Sequence, residues 1–378
     1  MSDVPSAPGI VERVLARSSP RAAFRRIVGI AVLCLLAAGP AIITDYWVHT
    51  ILTETFIFGI AAASLIFLSA YGGMVSLAQT ALMGVSGYIF GNLVSERGLQ
   101  GESKGLALGW DPTVALVVAV AITTAIGLLL GAVAARSTGI YFLMLTLTYG
   151  VIAFYFFGQV TQFGGFSPIA GIDTHIPGFI GDLLKHPDKL YYLALGVALA
   201  VYALIRYVVR TPFGLSLQGI RDDPVRMASL GYNVPLHRTL AFGLAAFFAS
   251  IAGMLYVWWQ GQIAPGDVYL GSTINLLVMA VIGGLVRIEG AWLGAFTYFL
   301  IDNQVRGHSI PGLSFGGTLF GGTFNTLIGV IFLAIVVVSP DGLMGIWERI
   351  TRLLFRGGGG GGAEPTTQTQ QPVTESSS

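Results

Sequence analysis

The chain has 378 residues, 54% of them hydrophobic and only 10% charged, where an ordinary soluble domain carries about 25% charged residues. Apolar runs of roughly 15 to 23 residues recur along it, the length a helix needs to cross roughly 30 Å of hydrocarbon. This excludes a soluble globular protein, and a net charge of +1 gives no footing for nucleic acid.

Residues 1–26 are polar and carry Arg13, Arg17, Arg21, Arg25 and Arg26 ahead of a first apolar run, Ile27–Ile43. That run reads as a spanning helix with its positive flank inside rather than as a cleaved signal. Its Cys34 is the single cysteine and reads as a packed core thiol. Further spans are expected at Glu54–Tyr71, Met74–Val94, Thr113–Ala135, Gly139–Val160, Leu190–Val209, Thr239–Trp259, Ser272–Val286, Gly290–Ile301 and Thr323–Ser339. The expected fold is therefore an all-α polytopic membrane protein of about ten spanning or partly spanning helices. Gly290–Ile301 is short and must either extend into Asp302 and Asn303 or remain a half-helix.

With the N-terminus inside, only Arg97, Lys104, Lys185, Lys189 and Arg306 of the 20 basic residues fall outside. The positive-inside rule thus supports an even number of spans and two cytoplasmic termini. Glycines spaced four apart, Gly87/Gly91, Gly127/Gly131 and Gly290/Gly294, suit close helix packing within one bundle. A faint internal repeat relates Gly72-Gly73, Ala81, Gly84 and Tyr88 to Gly283-Gly284, Ala291, Gly294 and Tyr298. From Gly357 the chain becomes a polar tail that cannot build a core, so the expected divisions are a cytoplasmic segment 1–26, a membrane domain 27–348 and a cytoplasmic tail 349–378.

The polar stretch 210–238 interrupts this pattern on the expected cytoplasmic side. Within it, Asp222 or Asp223 can cap a helix, Pro224 suits its first position, and Gly231 suits the left-handed residue after its end. The spacing predicts a helix of about two turns held outside the bilayer.

Catalytic chemistry is missing from the pattern. The five histidines have no partner at metal-ligand spacing, there is no G-x-x-x-x-G-K-[ST] loop, and nothing calls for a cofactor. Glu54 and Asp302 are expected only at span edges, which argues against ion coupling. The spans do carry neutral polar residues, among them Ser76, Gln79, Tyr88, Thr146, Asn275 and Asn325. These either line a path for a small polar solute or hydrogen-bond between helices.

Four stretches carry a family resemblance: Tyr71–Tyr88 (YGGMVSLAQTALMGVSGY), Arg136–Leu147 (RSTGIYFLMLTL), Gly214–Asn233 with GIRDDP and ASLGYN, and Ser272–Ile301 with VMAVIGGL and GAWLGA. With the closing Pro340-Asp341-Gly342-Leu343, they resemble the permease subunits of branched-chain amino acid ABC importers, specifically the longer of the two paired permeases. Gly219 stands where that family usually has Ala, and Asp341 where a basic residue is common. The resemblance implies an ABC importer permease architecture in a prokaryotic plasma or inner membrane. It also implies a second homologous permease, two ATPase subunits, and an extracytoplasmic solute-binding protein. Related permeases serve urea and short amides, and an independent secondary carrier or channel is the competing reading. In that frame Arg221, Asp222, Asp223, Pro224, Arg226, Met227, Leu230 and Gly231 form the element that couples to the ATPases. Arg221 and Arg226 would pair with acidic groups there, and Met227 and Leu230 would enter a groove.

Overall fold

A computed structural model describes residues 46–95, 108–177 and 187–307, together with positions 36, 39–42, 44, 106, 329, 333 and 342–345. Most of the first expected span, all but two positions of the last, Asn325, Cys34 and both terminal segments lie outside the described residues. The regular structure among the described residues is helical, apart from the two-residue strands Ile169–Ala170 (β1) and Gln262–Ile263 (β2), which pair antiparallel.

Five helices among the described residues are long and apolar enough to cross a membrane: α1 (Trp47–Gly72), α3 (Pro112–Ala134), α4 (Ile140–Gln159), α5 (Asp188–Arg210) and α8 (Val234–Gln260). Between and after them come α2 (Gln79–Val94), α6 (Pro212–Asp222), α7 (Pro224–Ser229), α9 (Leu270–Gly283) and α10 (Glu289–Gly307). Eight of the expected spans therefore appear as helices, and α10 runs through Asp302 and Asn303, so of the two alternatives left for Gly290–Ile301 it takes the extension.

Burial divides the helices into two kinds. The central helices α1 and α8 are apolar on every side and largely buried, which is what a helix surrounded by other helices must be. By contrast, α3, α4 and α5 are mostly uncovered and present large apolar side chains outward, such as Val117, Leu129, Ile152 and Tyr155. Lipid is the solvent such faces need, because every backbone polar group is already satisfied within the helix.

Glycine permits the close crossings. A Cβ on Gly127 would collide with the Ala246 methyl of α8, one on Gly87 would come within 2.6 Å of Val257, and one on Gly294 would run into the Met279 carbonyl of α9. The glycine spacings thus serve packing inside the bundle, as expected from small residues in lipid. Both copies of the faint repeat place their double glycine where a helix ends. Gly73 caps α1 in a left-handed conformation (φ 65°), and Gly284 ends α9 with φ 109°.

Two boundaries differ from the expectation. Helix α1 begins in a π-helical segment, Trp47–Leu52 (WVHTIL), whose apolar residues Val48, Ile51 and Leu52 are buried and extend the helix backwards. Glu54 therefore lies about two turns inside α1 rather than at a span edge, and Asp302 lies within α10. The other difference is α6, which the polar composition of 210–238 concealed. Thr211 caps it through the Gly214 N–H, Pro212 opens it, and Leu217 and Ile220 are fully buried beneath it. Burying each of these side chains stabilises the dock by roughly 1.5–3 kcal/mol.

Candidate functional site

Two features stand at opposite ends of α8. Near its N-terminus lies the α6–α7 pair, and near its C-terminus, roughly 30 Å away at 1.5 Å per residue, lies a cavity.

The α7 helix is closed as its sequence punctuation requires. The Asp223 carboxylate accepts the Arg226 N–H at 2.9 Å, Pro224 occupies the first position, and Gly231 has φ 90°. Between the two candidate caps, Asp223 takes the role. Asp222 instead holds Arg221, which donates to it at 2.8 Å through Nε.

Arg221 also reaches across to α1, where its Nη1 donates to the carbonyl of Ala70 in the last turn. A cation at that position satisfies an orphan carbonyl and the negative end of the helix dipole. Its stem packs so closely on Gly73 that a Cβ there would stand 2.7 Å from Arg221 Cγ. Met227 turns inward as well: its sulfur lies 2.9 Å from where a Cβ on Gly219 would stand. The outward apolar side chains are Val225, 75% exposed, and Leu230, 66% exposed. Arg226 is exposed, and among the described residues nothing pairs with its guanidinium. The expected coupling residues therefore separate into an inner set, Arg221 and Met227, and an outer set, Arg226 and Leu230. Val225 joins the outer set; the helix periodicity could have found it.

A third polar group ties the same end of the bundle. Glu289, in the first turn of α10, accepts from Tyr202 Oη at 2.9 Å and pairs with Arg206 of α5 at 3.5 Å.

At the far end, a cavity of about 160 Å³ opens between α1, α2, α8, α9 and α10. A dry site of roughly 150 Å³ holds a benzene-sized molecule, so this one accommodates a small solute. Glu54, Asp267 and Asp302 line it, with Thr80, Ser272, Asn275, Tyr256 and Tyr298. Its apolar lining is Phe58, Met83, Ile263, Met279 and Phe299, with Gly84 beside them. Asp267 is fixed by two donors, Tyr256 Oη at 2.9 Å and the Ala264 N–H at 2.8 Å. Burial pushes its carboxyl above the usual range, against those two hydrogen bonds. No three of the described His, Cys, Asp and Glu side chains converge closely enough to hold a metal ion.

Of the expected pathway residues, Asn275 lines the cavity. Ser76, Gln79 and Thr146 instead knit the break before α2. Gln79 accepts from Ser64 at 3.0 Å, and Thr146 accepts the Leu77 N–H at 3.1 Å. Tyr88 is fully buried and stacks on Phe157 with ring centroids 4.1 Å apart. The sequence reading did not single out Asp267; a lone carboxylate in the turn APGD between two apolar helices was its only signal.

Comparison with known proteins bears on both features. The family model for the permease component of branched-chain amino acid transport systems matches residues 48–339. A probable branched-chain amino acid transport permease protein LivH from Methanocaldococcus jannaschii is 25% identical over 49% of this chain and 55% of its own. The high-affinity branched-chain amino acid transport system permease protein LivM from Escherichia coli is 27% identical over 68% of this chain and 63% of its own. The permease protein BraD of such a system in Pseudomonas aeruginosa is 26% identical over 39% of this chain and 44% of its own. The chain thus spans less than two thirds of the length of these relatives. No solved structure matches it significantly.

Proposed function

We propose that this chain, which belongs to the family of permease components of branched-chain amino acid transport systems, forms half of the translocation pathway of an ATP-driven importer for branched-chain or similar amino acids. A second homologous permease completes the pathway, two ATPase subunits on separate chains drive it, and an extracytoplasmic binding protein delivers the solute. The chain lies in a prokaryotic plasma or inner membrane with the α6–α7 end and both termini cytoplasmic. Residues 27–348 are the permease domain, and 1–26 and 349–378 flank it.

The observation that carries this reading is the construction of α6–α7. An exposed short helix with an outward arginine and two outward apolar side chains rests on a half-buried helix, and that helix is bonded to the end of α1. The outer face suits a protein groove with acidic groups at its rim. Movement of α7 passes to α6 through Met227 on Gly219, and from α6 to α1 through Arg221 on Ala70 and Gly73. Helix α1 ends at Gly73, α2 follows it after the short break 74–78, and both line the cavity, so closure of the ATPases would rock the cavity walls as a rigid-body shift.

Arg226→Glu reverses the charge of the docking face without touching the bundle. ATP-dependent uptake in reconstituted vesicles is expected to fall to background while membrane insertion stays normal. Uptake at the native rate in that variant would refute the docking role.

A further inference from the structure

We propose that the corner where α3 ends, α4 begins and α8 starts is a binding site for the phosphodiester headgroup of an anionic phospholipid, held by Arg238 and Arg136. The inference goes beyond the transport reading and takes from it only the placement of this end in the cytoplasmic leaflet. Arg238 lies in the second turn of α8 and is half-buried. Its Nε is enclosed without a hydrogen-bond partner, and among the described residues nothing pairs with the rest of the guanidinium, whose terminal nitrogens reach the surface. Taking a cation partly out of water is costly unless an anion meets it. The described carboxylates at this end are engaged elsewhere: Asp222 holds Arg221, Asp223 caps α7, and Glu289 takes Tyr202 and Arg206.

Helix packing brings a second arginine to the same corner. A Cβ on Gly127 would strike the Ala246 methyl, and one on Gly131 would stand 2.9 Å from Phe242 Cβ, so α3 and α8 run antiparallel in steps of four residues. The next step sets Ala135 opposite Arg238, whose stem leans toward the N-terminus of α8 and so toward the turn after α3. Arg136 is exposed in that turn, and among the described residues nothing pairs with it. Three residues on, α4 opens at Gly139 without a side-chain cap, and Phe142 in its first turn packs edge-on against Phe242 of α8, with ring centroids 6.2 Å apart. The unbonded N–H groups of that turn add a partial positive charge beside the two guanidinium groups. The arginine fork matches the paired oxygens of a phosphodiester. Val133, Ile140, Tyr141 and Leu240 are exposed around the corner, so the surface next to the two charges is apolar, which suits acyl chains beneath a headgroup and not the acidic rim of a protein. A zwitterionic lipid brings its own ammonium group to the two arginines, whereas an anionic one leaves its phosphate charge to them.

The test is native mass spectrometry of the detergent-purified full chain, titrated with phosphatidylglycerol, with phosphatidylcholine of the same acyl chains, and with inorganic phosphate. The first phosphatidylglycerol is expected to bind roughly tenfold more tightly than the first phosphatidylcholine, and phosphate at equal concentration is not expected to displace it. Arg238→Gln and Arg136→Gln are each expected to weaken phosphatidylglycerol binding roughly tenfold, the loss of one charged hydrogen bond. Lys189→Gln, at an exposed cation on the opposite end of α5, is expected to leave it unchanged. Equal affinity for the two lipids overturns the proposal, as does unchanged affinity in either arginine variant or an equal loss in Lys189→Gln. Displacement of the lipid by phosphate at equal concentration identifies a plain anion site and overturns the lipid assignment. Loss of ATPase co-purification in Arg238→Gln with lipid binding unchanged assigns the arginine to the docking face, and the proposal falls. If Arg238→Gln does not stay monodisperse, Arg136→Gln, on an exposed turn, decides. Lipid binding is read without transport, so failure of the native complex to take up any amino acid overturns the permease reading and leaves this site to its own test.

Discussion

Arg221→Ala separates docking from transmission. The substitution removes the hydrogen bond to the Ala70 carbonyl and the pair with Asp222, but leaves Asp223, Pro224, Arg226 and the outward face of α7 as they are. A hydrogen bond from a charged group contributes about 1.5–3 kcal/mol, and a cation at a helix C-terminus a further 0.3–1 kcal/mol. The Arg221 side chain is 39% exposed, so solvent screening reduces the expected loss to about 1–2 kcal/mol. That is too small to unfold a bundle with α1 and α8 at its centre, but enough to let α6 move without α1. The assay pairs co-purification of the ATPase subunits with ATP-dependent uptake. Co-purification is expected to persist while uptake falls several-fold, and Arg221→Lys, which keeps the charge, is expected to recover part of it. Native uptake in Arg221→Ala would refute the path from α6 to α1, and loss of co-purification would place Arg221 in the docking face instead.

Three further outcomes follow from the same geometry. Asp223→Ala removes the α7 cap, costs about 1 kcal/mol, and is expected to weaken ATPase association several-fold, with faster hydrogen exchange over 224–229 as the direct readout. Gly294→Val drives a side chain into the Met279 carbonyl and the α9 backbone at Gly283, so thermal unfolding in detergent is expected several degrees lower, whereas Gly196→Ala, with open space around it, is expected to leave it unchanged. The third concerns pH. Burial raises the Asp267 carboxyl above its ordinary value, so its contribution to stability is full when the group is protonated and is lost as pH rises through the raised value. The unfolding temperature of the native chain is therefore expected to fall more steeply than that of Asp267→Asn as pH rises from about 4 to about 7. A steeper fall in Asp267→Asn than in the native chain would contradict it.

Apolar length was the most legible feature, because 1.5 Å per residue and a fixed hydrocarbon thickness leave little freedom: Thr113–Ala135 and Gly139–Val160 were each expected within a residue or two of the helices that form. Helix punctuation was equally readable at Asp223, Pro224 and Gly231, since capping is local chemistry. Tertiary choices were not. Helix α6 carries polar residues on one side, and only its packing against α1, α5 and α8 buries Leu217 and Ile220. Met227 and Leu230 are three residues apart, yet one turns onto Gly219 and the other outward, because α6 lies beneath only part of α7. The cavity joins residues from positions 54 to 302, a convergence that no local spacing encodes. Ser76, Gln79 and Thr146 carry the polarity of pathway residues, but the helix break beside them takes their hydrogen bonds.

The most direct test of the central claim is leucine uptake into liposomes, measured with the chain alone and with its companion permease, ATPase subunits and binding protein added. The account predicts no uptake by the chain alone and uptake that requires both the added subunits and ATP hydrolysis. Leucine transport by the chain alone, without ATP, would contradict it.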